Sequence, residues 1–417
     1  MMKLSAVEEN LVKAFEGFEI VDAHEHLPPE KVYVKQGVDA LTLFSHYVRY
    51  DLMTAGMSSE DFERTQNHSI PLDERWRIFH PYLKSVRHGS YARAAFIAAK
   101  EFYGFDDVDE GNYRALSEKM ADLNKPGIYD YVLRKKCNIR TALTQNDYGL
   151  DNRTDYDHDL LMPLMLLDTY AAANSKKAIE VRATVFDADV RALDDYLGLI
   201  RKVLAKWKSE GVVGLKMVSQ PYGEPDRGKA ISLFDSLMSG ERDQLPDLNP
   251  LRSYVTDQMM DMASELGLVV AVHTGVWGDF RTLDPKHMIQ IIIRHPGTKF
   301  DIYHMGVPFV RDTAIIGKNF PNVWLNLCWC HILSPKMACS AMDELIDLVP
   351  VNKIIAFGGD YHKPVEKVYG HLVMARENIA RVLGGRVEDG LMTEEEATAI
   401  AEMWFYGNPK ELYGLMI

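Results

Sequence analysis

The sequence has few cysteines and no long apolar run. Its 417 residues include four cysteines, too few for the disulfide framework of a secreted protein of this length. No uninterrupted apolar stretch reaches the roughly 18 residues of a membrane span. The N-terminal segment lacks the apolar region and the small-residue cleavage site of a signal peptide. We therefore expect a cytoplasmic protein.

Positive charge is also scarce. The chain has 47 basic and 60 acidic residues, for a net charge of −13, and no cluster of basic residues offsets this excess. A surface of this sign repels nucleic-acid phosphates and anionic lipid headgroups. Nucleic acids and membrane surfaces are therefore not expected as partners.

The remaining composition is that of a folded globular protein. Hydrophobic residues make up 47% of the chain and charged residues 26%, which provides ample material for a core. Domains of about 100–200 residues would give two or three in this chain, but α/β barrels often exceed that size as one domain. One large barrel with insertions is compatible with the length.

Short apolar runs bounded by turn residues predict eight strands. Segments with helical periodicity separate most of them, which favours an α/β fold of the (β/α)8, or TIM barrel, type. The competing doubly wound sheet usually carries a glycine-rich G-x-G-x-x-G turn after its first strand, and none is found here. The predicted strands are residues 18–24, 139–144, 179–185, 212–218, 268–273, 299–304, 323–328 and 353–358.

The spacing of these strands predicts four segments. Residues 1–26 form an N-terminal helix and the first strand, and residues 126–390 form the rest of the barrel. The gap at 27–125 is too long for an ordinary βα loop and has helical patterns, so it predicts an inserted lid over the barrel mouth. Residues 391–417 form a short helical extension, in which Thr393 and Glu396 have the spacing of a capping box.

Histidines and an aspartate lie at the ends of four predicted strands. Side chains at i and i+2 of a strand share a face, so His24 and His26 point together at the end of the first strand. His273 ends the fifth strand, His304 ends the sixth, and Asp360 follows the eighth. Each alone is more simply a packed or loop residue. Four strand ends that each supply a possible ligand indicate a metal site at the barrel mouth.

The ligand types restrict the metal. Imidazole and carboxylate groups without thiolate suit zinc, with manganese, iron or nickel as alternatives. Cys328 and Cys330 follow the seventh predicted strand, but no second cysteine pair lies nearby, so packing is the better interpretation of these thiols.

From VDAHEHL to FGGD, the pattern resembles the amidohydrolase superfamily. The long helical insertion and the ending NPKELYGL look most like the amidohydrolase-2 branch, which includes uronate isomerases and carboxymuconate-semialdehyde-type decarboxylases. This resemblance implies one divalent metal bound by residues matching His24, His26, His273 and Asp360. It places the residue matching His304 near the substrate.

Lys216 has two interpretations. It lies near the end of the fourth predicted strand, where several members of the superfamily carry a carboxylated lysine that bridges two metals. The alternative is an ammonium that binds an anionic group of the substrate. The resemblance to the single-metal branch favours the ammonium.

Several further residues are candidates for substrate binding. Trp277 and Arg281 follow His273 in a loop, and an exposed structural role is their alternative. Guanidinium groups bind carboxylates in a bidentate manner, so arginines of the insertion are candidate clamps for an acidic substrate. They are Arg49, Arg77, Arg87 and Arg93.

The predicted function is hydrolysis of a small, carboxylate-bearing amide, ester or lactone by metal-activated water. Asp360 and His304 are the candidate catalytic residues, as acid or base and as a group that polarises the carbonyl. The same residues would serve an aldose–ketose isomerase similar to uronate isomerase, or a metal-dependent decarboxylase. If the chain were instead a binding protein with a vestigial metal site, we would expect one or more of the key positions to be replaced. None of them is. We expect a small anionic substrate and a homo-oligomer.

Overall fold

The computed structural model describes residues 3–147 and 149–417. Residues 1 and 2 of the predicted N-terminal segment, and residue 148 of the predicted barrel, lie outside the described residues.

Within the described residues, eight strands form one sheet in the order β1 to β8. Pairing is parallel from β3 through β8, as in the register of Val218 opposite His273. This order confirms the (β/α)8 barrel. The strands are β1 (Ile20–Glu25), β2 (Ile139–Asn146), β3 (Leu161–Leu166), β4 (Gly214–Val218), β5 (Val269–His273), β6 (Phe300–Ile302), β7 (Val323–Asn326) and β8 (Ile354–Ile355).

Helices precede β1, fill the insertion, alternate with the later strands and form the tail. Those before β2 are α1 (Ala6–Phe15), α2 (Glu30–Tyr33), α3 (Val48–Thr54), α4 (Ser59–Gln66), α5 (Leu72–Val86), α6 (Ser90–Tyr103) and α7 (Tyr113–Leu123). Those of the later barrel are α8 (Asp168–Ala171), α9 (Lys176–Val185), α10 (Leu193–Ser209), α11 (Arg227–Met238), α12 (Pro250–Leu266), α13 (Ile289–Arg294), α14 (Val310–Asn319), α15 (Cys330–Leu333), α16 (Pro335–Leu348) and α17 (Glu366–Glu388). The tail holds α18 (Glu394–Glu402) and α19 (Asn408–Tyr413).

Shorter 3-10 and π segments connect these elements. The 3-10 segments are Ala40–Phe44, Phe280–Leu283, Pro285–Met288, Tyr303–Gly306 and Val351–Lys353, and the π segments are Asp130–Lys136 and Met403–Gly407. Every helix in the described part of the chain is too short or too polar to span a lipid bilayer.

The predicted strand at 179–185 is wrong, because these residues lie in α9. Ser175 caps this helix by accepting a hydrogen bond from the Ala178 amide at 3.2 Å. The third strand is instead Leu161–Leu166, which contains Pro163 and no β-branched residue. Strand propensity therefore favoured the wrong segment, because tertiary pairing decides strand formation more than composition does.

The helical insertion and the helical C-terminal extension are confirmed. Helices α2 to α7 lie between β1 and β2. In the tail, Thr393 accepts a hydrogen bond from the Glu396 amide, and the Glu396 carboxylate accepts one from the Thr393 amide. This reciprocal pair is the predicted capping box at the start of α18.

The chain divides into two compact units. Unit 1 consists of Met1–Ala142, Cys328–Asp343 and Ala356–Tyr406, and α17 packs there against α1 and α6. Unit 2 consists of Leu143–Leu327, Glu344–Ile355 and Gly407–Ile417, and α12 packs there against α10 and α11. Both units have buried apolar side chains, such as Trp404 in unit 1 and Trp207 in unit 2.

A buried histidine of unit 2 is expected to make stability depend on pH. The ring nitrogens of His295, which is 5% exposed, lie 2.8 Å from Asp261 Oδ1 and 2.9 Å from Asp257 Oδ1. Burial lowers the pKa of His295, but hydrogen bonds to the two carboxylates outweigh it, so the pKa is raised overall. The protonated ring therefore stabilises the fold below the unfolded pKa of about 6.5. This stabilisation is lost as pH rises through the raised pKa.

We expect His295→Gln to lower the free energy of unfolding by about 1–3 kcal/mol at about pH 5.5, the usual range for hydrogen bonds to charged groups. The loss should shrink at about pH 9. Denaturant unfolding at both pH values measures it. The matched control is His88→Gln, which alters an exposed histidine and should cost less than about 0.5 kcal/mol. An equal loss for His295→Gln at both pH values would contradict the role of the protonated ring.

Candidate functional site

Strand β1 directs two imidazoles of unit 1 toward one carboxylate. His24 is buried and His26 is partly exposed, with 17% of its side chain accessible. Their Nε2 atoms lie 3.2 Å and 3.3 Å, respectively, from the same oxygen, Oδ1 of Asp360. His24 lies in β1 and His26 directly follows it, and the predicted H-x-H pair converges with the predicted aspartate.

The close approach of β1 and the segment after β8 requires glycine. A Cβ atom on Gly359 would lie 1.9 Å from Glu25 Oε1, and one on Gly358 would lie 2.9 Å from the His24 amide nitrogen. Asp360 follows with φ of +62°, a left-handed conformation that a non-glycine residue adopts only when its surroundings hold it. The FGGD sequence is therefore a steric requirement of the site.

Two buried carboxyl groups bind the backbone behind the imidazoles. Asp22 Oδ1 accepts hydrogen bonds from the amides of His24 and Gly359 at 3.2 Å and 3.0 Å. Glu25 Oε2 accepts one from the Tyr361 amide at 2.7 Å. Asp22 is thus bonded to the backbone of His24 and to the amide directly before Asp360.

The two carboxyl groups also affect each other's pKa. Burial raises the pKa of Asp22 to about 6, although a hydrogen bond from Glu25 and backbone amides oppose this. Burial, and next the charge of Asp22, raise the pKa of Glu25 well above its usual value. Both shifts favour the protonated form, most strongly for Glu25.

The insertion supplies two residues that the sequence analysis missed. The hydroxyl of Tyr47 forms a hydrogen bond with the Asp360 carboxylate, and burial followed by the Asp360 charge raises the pKa of Tyr47 well above its usual value. His46 stacks on Tyr47 with ring centroids 3.9 Å apart. The centroid of His362 lies 5.0 Å from that of His46 and 4.6 Å from that of His26.

Burial determines the protonation of His46. It lowers the pKa of His46 well below its usual value, and the charges of His362 and Lys367 lower it further. His46 is therefore neutral near pH 7. The sequence has 14 histidines, and no spacing sets the adjacent His46 and Tyr47 apart from the others.

Unit 2 holds a second pair of imidazoles. His273 Nδ1 and His304 Nε2 lie 3.0 Å apart, and their ring centroids are separated by 4.6 Å. His304 and Met305 have φ values of +64° and +50°, so β6 ends in a sharp turn that reorients the His304 ring. The predicted strand-end histidines of β5 and β6 are therefore in contact.

Lys216 lies in a buried polar cluster of unit 2. Its Nζ atom is 4.0 Å from the ring centroid of Tyr303. Asp301 Oδ2 accepts hydrogen bonds from Tyr413 at 2.8 Å and from Asn326 at 3.0 Å. Burial raises the pKa of Asp301 to about 7, while these two hydrogen bonds and the charge of Lys216 oppose the rise.

The candidate substrate residues are dispersed over the insertion and a loop. Arg49 forms an ion pair with Glu63 at 3.2 Å and lines a cavity of about 270 Å³ in unit 1. The other lining residues are Ser45, His46, Tyr50, Phe62, Gln66, His362 and Lys363. Arg49 is thus the candidate carboxylate clamp that lines a cavity.

The remaining candidates lie in more ordinary surroundings. Arg87 pairs with Asp107 at 2.6 Å, Arg77 is exposed on α5, and Arg93 is half-buried on α6. In unit 2, Trp277 is half-buried, while the side chain of Arg281 is 80% exposed and pairs with Asp279 at 2.6 Å. The thiols of Cys328 and Cys330 are both buried, as the packing interpretation expects.

Two solved structures share this fold over almost the full chain. A uronate isomerase from Thermotoga maritima has a TM-score of 0.83 and 18% identity, and the alignment covers 98% of each chain. A glucuronate isomerase from Caulobacter crescentus has a TM-score of 0.80 and 16% identity, over 99% of this chain and 94% of that one. At these identities the likeness concerns the fold.

Sequence comparison identifies the family. Protein fluG of Emericella nidulans is 24% identical over an alignment of 223 residues, and the match covers 49% of this chain and 26% of fluG. The matched region thus spans about a quarter of that relative. The family model described as amidohydrolase matches residues 21–415, nearly the whole chain, and confirms the resemblance carried by VDAHEHL and FGGD. The chain belongs to the amidohydrolase family.

Proposed function

We propose that the chain is a metal-dependent hydrolase of a small amide, ester or lactone that carries a carboxylate. The observation that carries the proposal is the convergence of His24 Nε2 and His26 Nε2 on Asp360 Oδ1. Membership in the amidohydrolase family supports an enzyme that uses a metal.

Two donor–donor distances of unit 1 suit a small divalent ion. Donors of a four-coordinate ion with bonds of about 2.1 Å lie about 3.4 Å apart, close to the 3.2 Å and 3.3 Å between the imidazole nitrogens and Asp360 Oδ1. The proposed ligands are His24, His26 and Asp360, together with His273, which ends β5 of the same sheet. Nitrogen and oxygen donors suit zinc, with manganese, iron or nickel as alternatives.

When bound, such an ion polarises a substrate carbonyl and makes water more acidic. Asp360 is the proposed acid and base: it accepts a proton from the attacking water and returns it to the leaving group. The Tyr47 hydroxyl holds this carboxylate in one orientation, because its raised pKa keeps it a hydrogen-bond donor. In the proposal, His304 polarises the carbonyl or shares the proton transfer.

The surroundings of Lys216 support an ammonium and therefore a single metal. A cation is attracted to the face of an aromatic ring, and Nζ lies 4.0 Å from the centroid of Tyr303. The neighbouring Asp301 is also attracted to a positive Lys216, whereas a carboxylated lysine would bring a second negative charge beside it. In the proposal, the ammonium binds an anionic group of the substrate.

The cavity beside His46 and His362 supports an acidic substrate. Arg49 and Lys363 both line it, and burial lowers the pKa of Lys363, so an entering carboxylate would stabilise its charged form. A guanidinium and an ammonium beside one space of about 270 Å³ suit a small carboxylate. Arg49 is the proposed clamp.

An aldose–ketose isomerase is the second candidate, because the solved structures described above are uronate and glucuronate isomerases. In that reaction Asp360 would move a proton between neighbouring carbons of an open-chain sugar acid. The proposed ligands and the acidic-substrate cavity serve both reactions, so only a substrate assay separates them.

The first test is metal content. We expect protein purified without chelators to contain about one divalent transition metal per chain, because four ligands are proposed and zinc sites usually take four. Elemental analysis measures it, and His24→Ala should lower the content while His88→Ala, at an exposed position, should not. A fully active metal-free protein would exclude the proposal. Two metals per chain would instead indicate a carboxylated Lys216.

The second test combines a variant with a substrate panel. Metal-loaded protein is incubated separately with uronates, N-acyl amino acids, γ-glutamyl amides and lactones, and the class that is turned over decides between hydrolysis and isomerisation. Asp360→Asn should reduce turnover of that class by at least about 100-fold, the low end for a positioned general base. The substitution keeps the volume and removes the charge. Turnover near that of the wild type would exclude the role of Asp360.

The third test concerns substrate charge. We expect Arg49→Met to raise KM for a carboxylated substrate by about 10-fold or more, the effect of losing a hydrogen bond between charged groups, and to change KM for its neutral amide or ester far less. Metal content should stay unchanged. Arg77→Met, on the exposed face of α5, is the matched control. If none of Arg49, Arg77, Arg87 and Arg93 affects KM when replaced singly, the clamp lies outside the insertion.

A further inference from the structure

The segment that carries Asp360 is bonded along one side to β1. Strand β8 ends at Ile355, and residues 356–361 continue it irregularly. The Ala23 amide donates to the Phe357 carbonyl at 3.0 Å, and the Asp360 amide donates to the His24 carbonyl at 2.8 Å. These bonds align the segment with β1, and the Trp329 amide also binds the segment by donating to the Gly358 carbonyl at 3.0 Å.

Two buried imidazoles bind further carbonyls of this segment. His331 Nε2 lies 2.8 Å from the carbonyl oxygen of Ala356, and His371 Nδ1 lies 3.1 Å from that of Gly359. Both side chains are fully buried in unit 1. A carbonyl only accepts hydrogen bonds, so each of these ring nitrogens carries a proton and donates it.

The bond from His371 acts on the peptide unit that directly precedes Asp360. The carbonyl of this unit belongs to Gly359 and accepts from His371, while its amide belongs to Asp360 and donates to the His24 carbonyl. The peptide plane is thus bonded at both ends, by α17 on one side and by β1 on the other. Its orientation determines φ of Asp360 and with it the direction of the carboxylate.

This restraint matters because Asp360 has φ of +62°. A left-handed conformation costs a non-glycine residue about 1–2 kcal/mol, and the two preceding glycines leave the segment a wide range of backbone angles. Without the bond from His371, this peptide plane would be held only at its amide end, by the bond to the His24 carbonyl, and could tilt toward a relaxed conformation. Asp360 Oδ1 would then move away from the nitrogens of His24 and His26.

We propose that His371 is a positioning residue for Asp360: its Nδ1–H fixes the peptide between Gly359 and Asp360 and so maintains the arrangement of the metal ligands. The inference rests on the proposed metal site. His371 contacts neither a ligand side chain nor a substrate group in this role; it acts through the backbone. Groups that orient metal ligands in this indirect manner typically change metal affinity or activity 10–100-fold when replaced.

The surroundings of His371 favour one donor and a neutral ring. Phe357 and Tyr361 lie against it with ring centroids 5.1 Å and 6.1 Å away, and its buried Nε2 has no hydrogen-bond partner among the described residues. Burial, and next the charge of His331, lower the pKa of His371 to about 3. The ring therefore donates from Nδ1 alone over the physiological range.

His331 provides the matched control. It is equally buried and also donates to a carbonyl of the segment, but its acceptor belongs to Ala356, four residues before Asp360. Burial lowers its pKa to about 4, so it too is neutral. Replacing His331 removes a similar buried bond and a similar ring without freeing the peptide that orients Asp360.

The test measures Zn²⁺ affinity of the full-length protein by competition with a chromogenic chelator. His371→Leu removes the donor, His371→Gln places its amide nearer the position of Nε2, and His371→Asn keeps an amide donor near the position of Nδ1. We expect Leu and Gln to weaken Zn²⁺ binding by about 10–100-fold and Asn to stay within about 3-fold of the wild type. His331→Leu should lower thermal stability but stay within about 3-fold in affinity. With a substrate identified, kcat of His371→Leu should fall while KM stays nearly constant.

The outcomes separate this inference from the proposed function. Wild-type affinity in both His371→Leu and His371→Gln would overturn the inference and leave the metal site intact. An equal loss in His331→Leu would also overturn it, because packing alone would then explain the effect. If His371→Leu fails to fold, the comparison of Asn with Gln decides. A wild-type protein that binds no Zn²⁺ would refute the proposed metal function, and the inference with it.

Discussion

The site of unit 1 depends on backbone hydrogen bonds between β1 and the segment after β8. The amides of Ala23 and His26 donate to the carbonyls of Phe357 and Tyr361, and the Asp360 amide donates back to β1. These bonds fix the register of the two segments, which come from opposite ends of the chain. The imidazoles of His24 and His26 therefore both lie close to Oδ1 of Asp360. A shift by one residue would turn these side chains to the other face.

The same close register has an energetic cost. It leaves room only for glycine at positions 358 and 359, and it buries the carboxyl groups of Asp22 and Glu25 completely. Burial of a carboxylate is unfavourable unless it is hydrogen-bonded, which is why backbone amides of Gly359 and Tyr361 bind these two groups. The two acids therefore stabilise the backbone geometry of the site.

The barrel and its strand-end ligands could be predicted from the sequence because they follow local rules. Buried parallel strands appear as apolar runs, and residues at their carboxyl ends share one edge of the sheet. Those rules placed His24, His273 and Asp360 at strand ends. They failed at β3, where Leu161–Leu166 contains proline and unbranched residues, because pairing with β4 determines that strand more than its own propensity does.

The residues contributed by the insertion could not be predicted in this way. His46 and Tyr47 follow a 3-10 turn and precede α3, so no strand or helix period marks them. Their position depends on how the insertion docks: the buried Lys367 of α17 donates to the Ser45 carbonyl at 3.2 Å, directly before His46. The helix that holds this turn through Lys367 also holds the Gly359 carbonyl through His371. Helix α17 thus helps to position both Asp360, which the strand-end pattern predicts, and Tyr47, which contacts it. No sequence pattern marks the contacts that Lys367 and His371 make.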